Sequence, residues 1–470
     1  MAELFANAQS GASASELVAR LESVPFSRWH IRPRIIVGSA TFFDAFDALQ
    51  LASALVIIRP LWDLTTGDIS ALISASYIGQ FFGALLFGRL AEKFGRIPMA
   101  ASAVVLMSVM SLACVFTGNV TELFICRLIQ GIGVGGEMPV AAAYISELSK
   151  SRGRGRFFLL YELIFPVGLL ATGLTGAVLV PEFGWQSMFV VGGVPGLVIA
   201  FFILRLPESP RWLIHQGRLA DAEAVIRDIE ASTDRREAPE PASPDPSLPA
   251  VAMAMPRKGR WNELLSPFYR KRTLVVWALW ATAYFVANGL NNWMPTLYNA
   301  VYGLPREQAL WAAPMTNAAQ VALLLVCVFV IDRVGRRNWI VTSFAMGAIL
   351  LTVLGLFGAH NVVAVMILAT LAYGFIGSVN AVVYLYTPEI YPTRMRAAAT
   401  GAATCWLRLA SAAAPWVVGH ILTSQNPADP IYAERIYLVF LAFAGVALIG
   451  ACAATLMLET RNRRLEDIAP

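Results

Sequence analysis

The sequence predicts an all-α polytopic membrane protein whose twelve transmembrane helices form two sets of six. Of the 470 residues, 57% are hydrophobic and only 14% are charged, whereas a soluble domain carries about 25% charge. Apolar runs of about 20 residues, the length that crosses a hydrocarbon core of about 30 Å, recur between short basic segments. A long polar insert divides these runs into two groups.

The predicted helices follow one another along the chain. Those of the first half cover 35–58, 69–91, 97–117, 120–146, 157–180 and 186–205. Those of the second half cover 273–298, 308–331, 339–358, 362–387, 397–423 and 435–458. We therefore divide the chain into an N-terminal segment, a first bundle, a linker, a second bundle and a tail, with the bounds 1–34, 35–205, 206–271, 272–458 and 459–470.

Basic residues collect in alternate loops, such as "EKFGR" and "DRVGRR". The opposite loops, such as "TGNVTE", carry few or none. Because loops rich in Lys and Arg stay on the cytoplasmic side, we expect a multi-pass protein of the cell (inner) membrane with both termini in the cytoplasm. The same residues account for the basic balance of the chain, so no nucleic-acid partner is predicted.

Neither the termini nor the linker contains a sequence pattern that predicts catalysis. The first 30 residues are polar, so the first transmembrane helix is expected to direct insertion. The linker begins with helical spacing and continues with a Pro- and Ala-rich stretch that we expect to be disordered.

All five cysteines fall in predicted spans and the four histidines are scattered. This pattern predicts no disulfide framework, metal site, cofactor or catalytic cluster, and therefore no enzyme.

A short motif occurs once in each half. "GRLAEKFGRI" (88–97) follows the second span, and "VFVIDRVGRRN" (328–338) follows the second span of the second half. An acidic residue, a base, a Gly and an Arg recur in matching positions. Two related six-helix halves are typical of secondary transporters that bind their substrate near the midplane, between the halves.

Nearly the whole chain resembles the major facilitator superfamily. Besides the two loop motifs, "RLIQGIGVGGEMPVAAAYISE" (127–147), "PESPRWL" (207–213), "YTPEIYPTRMRAAATG" (386–401) and "LETRNRRLEDI" (458–468) resemble the sugar porters and their organic-ion relatives. The resemblance implies the major facilitator fold, with transport driven by a proton gradient and no cofactor.

The resemblance also implies a cytoplasmic gate. In that superfamily, charged groups at cytoplasmic helix ends form salt bridges that close this side of the carrier. The matching positions here are Gly88, Glu92, Gly95, Arg96, Glu147, Glu208, Arg211, Asp332, Arg333, Gly335, Arg336 and Glu389.

Asp47 is a carboxylate inside the first predicted span. At a rise of about 1.5 Å per residue, it lies about 20 Å from the cytoplasmic edge marked by Arg34, and Arg127 lies about 12 Å from the outer edge marked by Asn119. Across a core of about 30 Å, Asp47 is therefore about 10 Å from the outer edge, so the two residues lie at similar depths. Placing a carboxylate at such a depth costs at least about 2.5–3.5 kcal/mol, so it normally faces a cavity or a partner. A structural ion pair is the alternative.

A pairing of Asp47 with Arg127 has the properties of a proton-coupling site. Separating the two changes the proton affinity of the carboxyl group, and arginine itself does not release a proton. Proton-coupled sugar porters, which this region resembles, use such a pair at the matching positions.

Asp44 lies one helical turn before Asp47, on the same helix face. The stretch "FFDAFDAL" resembles the first helix of aromatic-acid and metabolite:proton symporters. Asp44 either modulates proton binding at Asp47 or carries the proton itself, and a structural role is a third reading.

Arg408 lies about 18 Å beyond Arg396 along the same predicted helix, too deep for its side chain to reach an interface. A fixed guanidinium that faces a cavity can hold a carboxylate with two hydrogen bonds. The segment resembles the eleventh helix of organic-ion transporters, in which anion-selective members have an Arg. We therefore expect an anionic substrate.

Other residues of the predicted substrate site are mid-span amides and aromatic side chains. "VANGLNNWMPTLY" supplies three asparagines within one span, and an amide at that depth needs a polar partner. The predicted binding residues beside Arg408 are Asn288, Asn291, Asn292, Tyr161, Trp293 and Tyr384.

Together these features predict a secondary active transporter, monomeric in the lipid bilayer, that takes up a small organic anion by symport with protons. An aromatic acid such as hydroxybenzoate or nicotinate is the expected substrate. A proton-coupled sugar or polyol porter and a drug or metabolite exporter are the alternatives.

Overall fold

The computed structural model describes residues 13–24, 27–148, 162–232, 261–358, 361–423 and 433–461. In this part of the chain twelve helices are long and apolar enough to cross a membrane, as predicted. Those of the first half are α2 (Arg28–Leu61), α3 (Thr66–Phe94), α4 (Arg96–Cys114), α5 (Val120–Glu147), α6 (Ile164–Phe183) and α7 (Gln186–Ile203).

Three further helices precede the second half. Helix α1 (Ala14–Ser23) comes before the first span, and α8 (Pro210–His215) and α9 (Leu219–Ala231) follow α7. The second half consists of α10 (Arg270–Ala300), α11 (Arg306–Val334), α12 (Arg336–Val353), α13 (Val362–Glu389), α14 (Thr393–Leu422) and α15 (Ile436–Thr455). Several of these helices begin or end outside the predicted apolar spans, because a helix continues into the aqueous layer where hydropathy no longer detects it.

Glycines bring α3 and α5 into direct backbone contact. A Cβ atom at Gly131 would lie 2.2 Å from the carbonyl oxygen of Ser76, and one at Gly135 would lie 2.1 Å from that of Gln80. Small residues allow such close packing between membrane helices, which dispersion forces then stabilise. The contact fixes α5, and with it the charged side chains that α5 contributes to the interior.

The two halves meet along α3 and α14. The Thr66 hydroxyl lies 3.0 Å from that of Thr423, and the Ser70 hydroxyl donates to the carbonyl of Pro415 at 2.9 Å. These bonds lie at the end of the molecule opposite the two loop motifs. We call that end the far face, and the end with the loop motifs the motif face. The halves are therefore hydrogen-bonded to each other at the far face.

The N-terminal helix α1 packs against the helices that follow the first bundle. Leu17 and Leu21 share an apolar cluster with Trp212 of α8 and Ile226 of α9. Arg20 forms an ion pair with Glu230 at 2.7 Å. The start of the linker is thus helical, and the stretch predicted to be disordered, 233–260, lies outside the described residues.

Candidate transport site

A cavity lies between the two halves, and its wall is mainly apolar with polar and charged side chains among the apolar ones. Helices α2, α3, α5, α6, α10, α11, α13 and α14 all contribute to its wall. Three charged residues line it: Asp44, Glu162 and Arg408. The arrangement gives a binding chamber in the interior with both signs of charge on its wall.

Asp47 and Arg127 form a buried ion pair beside this chamber. Arg127 Nη1 lies 3.5 Å from Asp47 Oδ2, and both side chains are almost completely buried. The side-chain amides of Gln50 and Gln130 donate to Asp47, and Arg127 donates to Gln130 Oε1 at 2.8 Å. The ionised carboxylate is therefore surrounded by donors, which stabilise its charge. Asp47 and Arg127, whose predicted depths agree, are thus in contact in the structure.

Asp44 faces the cavity and has a neighbour that sequence reasoning missed. Glu137 of α5 is 1% exposed, and its carboxyl group interacts with that of Asp44. Glu137 lies within the predicted span 120–146. The insertion cost that identified Asp47 applies to it equally, so the signal was present in the sequence.

Arg408 is available to a ligand. It is 3% exposed, lines the cavity, and donates to the Thr404 carbonyl of its own helix at 3.3 Å. Its Nε has no hydrogen-bond partner, and no described carboxylate forms a direct ion pair with it. A buried guanidinium in this condition lacks its usual anionic contact.

Amide and phenol side chains form the other polar parts of the wall. Asn288 donates to Ser411 at 2.7 Å, and Tyr373 donates to Gln320 at 2.9 Å. The cavity is also lined by Gln80, Tyr284, Asn380 and Tyr384. Gln80, Gln320 and Asn380 were not among the predicted binding residues, although all are polar residues within apolar spans.

Three other predicted binding residues, Asn291, Asn292 and Trp293, do not line this cavity. Asn291 is paired with Asn317, and Asn292 donates to Tyr77 at 3.1 Å beside a smaller pocket next to Arg127. Trp293 is fully buried in helix packing. Tyr161 lies outside the described residues.

The predicted gate residues form one charged cluster in each half. Arg96 pairs with Glu147 at 2.9 Å, and the Glu208 carboxylate accepts from the backbone amide of Arg96 at 3.0 Å. Glu208 thus caps the N-terminus of α4, where backbone donors lack helical partners. Burial raises the pKa of Glu208 above its ordinary value.

The second half repeats this cluster. Arg336 pairs with Asp332 at 3.0 Å and with Glu389 at 3.3 Å, and Glu459 accepts from the backbone amide of Arg336. Sequence reasoning missed the role of Glu459. The signal was a second internal repeat, because "LPES" after the first bundle matches "MLET" after the second.

The two motif glycines have backbone angles that favour glycine. Gly95 has φ of +109° and Gly335 has φ of +93°, in the region that side chains with a Cβ rarely adopt. The four other predicted gate residues lie at the edges of these clusters. Gly88 has open space beside its Cα, the Glu92 backbone carbonyl accepts from Trp212, and Arg211 and Arg333 are exposed.

Among the described residues, no group of three or more His, Cys, Asp or Glu side chains could hold a metal ion. The polar groups that line the cavity are carboxylates, one guanidinium group, amides and phenols.

Comparison with known families identifies the chain. The model of the family described as "Sugar (and other) transporter" matches residues 32–470. The chain belongs to this family. It is thus a transporter of the major facilitator superfamily and not an enzyme.

The transporter is similar to proteins that are named for different substrates. It is 30% identical to the niacin transporter NiaP of Acinetobacter baylyi over 453 residues, which cover 96% of this chain and 99% of the relative. It is 25% identical to the arabinose-proton symporter of Bacillus subtilis over 466 residues, 95% of this chain and 97% of the relative. The crystal structure of a D-xylose-proton symporter superposes with a TM-score of 0.69 at 18% identity, covering 92% of this chain and 99% of that one.

Proposed function

We propose that this transporter takes up a small aromatic carboxylate together with protons. The observation that carries the proposal is Arg408, a buried guanidinium that faces the cavity and forms no direct ion pair with a carboxylate among the described residues. Four tyrosines, at 77, 284, 373 and 384, line the same cavity and offer flat surfaces to an aromatic ring. The likeness to a relative named a niacin transporter supports the same substrate class.

Alternating access would move one half of the transporter against the other. The bonds between α3 and α14 hold the far face closed in this conformation. Reopening that face requires these bonds to break, while the salt bridges at Arg96 and Arg336 organise the motif face. Following the distribution of basic residues, we place the motif face and both termini in the cytoplasm and the monomeric transporter in the cell membrane.

Proton coupling would use the carboxylates on α2. The pair of Asp47 and Arg127 provides one site, and Asp44 provides a second at the cavity wall. An inward proton gradient would then drive accumulation of the anion, because the proton and the substrate cross in the same cycle.

Uptake into proteoliposomes tests the proposal. Radiolabelled nicotinate and 4-hydroxybenzoate should accumulate when an inward proton gradient is imposed, and accumulation should stop when the gradient is dissipated. Arg408→Ala should weaken uptake roughly 10- to 100-fold, the equivalent of a lost charge-assisted contact of about 1.5–3 kcal/mol. Arg227→Ala, at an exposed position on α9, is the matched control and should leave uptake unchanged.

A sugar is the second candidate substrate, favoured by the amides of Asn288, Gln320 and Asn380 on the cavity wall. Gradient-driven arabinose uptake that survives Arg408→Ala, together with no carboxylate uptake, would contradict the anion proposal. Neutral sugars do not need a guanidinium, so the Arg408→Ala variant separates the two substrates.

A further inference from the structure

Two buried carboxyl groups from different helices adjoin each other at the cavity wall. Asp44 on α2 is 2% exposed and Glu137 on α5 is 1% exposed. Val134 and Met138, which flank Glu137 on α5, line the cavity together with Asp44. The pair therefore lies at the boundary between the chamber and the packed interior of the first bundle.

The Asp44–Glu137 pair lacks the donors that surround Asp47. Neither carboxyl oxygen of Glu137 accepts a hydrogen bond from a described donor, and neither does Oδ1 of Asp44. Two adjacent carboxyl groups with so few donors resist simultaneous ionisation and share a proton. The contrast with Asp47, which accepts from two glutamine amides and is paired with Arg127, distinguishes the two sites.

The titratable and charged groups around the pair come from six helices and from Glu162, which precedes α6. Asp47 and Arg127 neutralise each other, so Arg408 is the remaining cation that acts on Asp44. Glu162, two residues before α6, interacts with Tyr284 and Tyr384. The titratable and charged groups facing this region are Asp47 on α2, Tyr77 on α3, Arg127 on α5, Glu162, Tyr284 on α10, Tyr384 on α13 and Arg408 on α14.

Resting on the proposed function, we propose that Asp44 and Glu137 form a shared-proton pair that takes up one further proton when a substrate carboxylate occupies Arg408. Without substrate, the pair holds one proton and its remaining negative charge faces Arg408. A bound carboxylate neutralises Arg408 and leaves the pair without a counter-charge. A proton from cavity water then forms an O–H bond on the ionised carboxyl oxygen, and no other bond breaks in the protein.

This exchange couples the two fluxes directly. One carboxylate and one proton enter the site together, so the loaded site carries the same charge as the empty one. The substrate and the carboxyl pair compete for the same guanidinium, which makes proton binding a consequence of substrate binding. Glu137 is thereby assigned to the proton-binding machinery, and Asp47 keeps its pairing with Arg127 during this step.

Calorimetry on the purified full-length transporter in detergent tests the proposal. Nicotinate is titrated in two buffers that differ in ionisation enthalpy, which gives the number of protons bound with the ligand. We expect about one proton per nicotinate for the unmodified protein and for the exposed control Arg227→Ala, and none for the double variant Asp44→Asn with Glu137→Gln. Retention of the proton in the double variant would overturn the proposal.

Infrared difference spectroscopy tests the role of Glu137 without the double variant, which could fail to fold. Nicotinate should produce a signal of newly protonated carboxyl groups, and both Glu137→Gln and Asp44→Asn should shift or remove it, because the frequency depends on the hydrogen-bonded neighbour. A Glu137→Gln spectrum identical to that of the unmodified protein would overturn the shared site. Absence of nicotinate and 4-hydroxybenzoate binding would instead reject the proposed function itself.

Discussion

The Arg127 guanidinium lies 3.5 Å from the Asp47 carboxylate in the interior of the first bundle. The Arg127 side chain, on α5, is 2% exposed, and the Asp47 side chain, on α2, is 4% exposed. Water cannot compensate either charge at that depth, so each depends on the other and on the glutamines around them. The contact joins two helices that also carry the candidate proton pair of Asp44 and Glu137.

Arg127→Ala should destabilise the transporter more than removal of both charges. The single substitution leaves Asp47 buried without its cation, which typically costs about 3–5 kcal/mol. Asp47→Asn combined with Arg127→Gln should recover part of that loss, because no net charge remains. Thermal unfolding in detergent measures the difference, with Arg227→Ala as the exposed control. Equal melting temperatures for Arg127→Ala and the double variant would contradict this account.

Gly135→Ala should disrupt the contact between α3 and α5. Its Cβ would lie 2.1 Å from the Gln80 carbonyl oxygen, so one helix must shift, at a typical cost of about 1–3 kcal/mol. Gly401→Ala and Gly445→Ala are matched controls, since nothing lies within 4 Å of their added Cβ atoms. The yield of monodisperse protein and its melting temperature should fall for Gly135→Ala alone. A loss of similar size in the controls would point to glycine flexibility as the cause.

Glu208→Gln should change how stability depends on pH. Burial raises the pKa of Glu208 above its ordinary value of 4.5, so the folded state binds this proton more tightly than the unfolded state does. The stabilising contribution of that proton is complete below the ordinary value and is lost as pH rises through the folded-state pKa. The melting temperature of the unmodified protein relative to Glu208→Gln should therefore fall as pH rises from that value. A difference that grows with pH has the wrong sign for this explanation.

The sequence predicts motifs that repeat and the depth of each residue within a span. It predicts less about how each helix is rotated about its own axis. Helical rise was sufficient to bring Asp47 and Arg127 together. It could not show that Asn291 and Trp293 turn into helix packing while Asn288 faces the cavity. Such rotation depends on which neighbours surround a span, and every face of these helices is largely apolar. Glu137 was not predicted as a site residue, because it lies within the stretch 127–147, which was interpreted as a family motif.

A disulfide across the far face should stop transport. The hydroxyls of Thr66 and Thr423 lie 3.0 Å apart and join the first half to the second. In a background without the native cysteines, Thr66→Cys with Thr423→Cys should form a cross-link under oxidising conditions. The link would hold this face closed, because α3 and α14 must separate there for the cavity to open on that side.

Uptake into proteoliposomes should be lost on oxidation of the double-cysteine variant and should return on reduction. Each single-cysteine variant is the control and should transport equally before and after oxidation. Substrate binding in detergent should survive the cross-link, since the cavity residue Arg408 lies away from the modified positions and the two halves are already hydrogen-bonded at the far face in this conformation. Full uptake by the cross-linked protein would show that α3 and α14 stay together throughout the cycle.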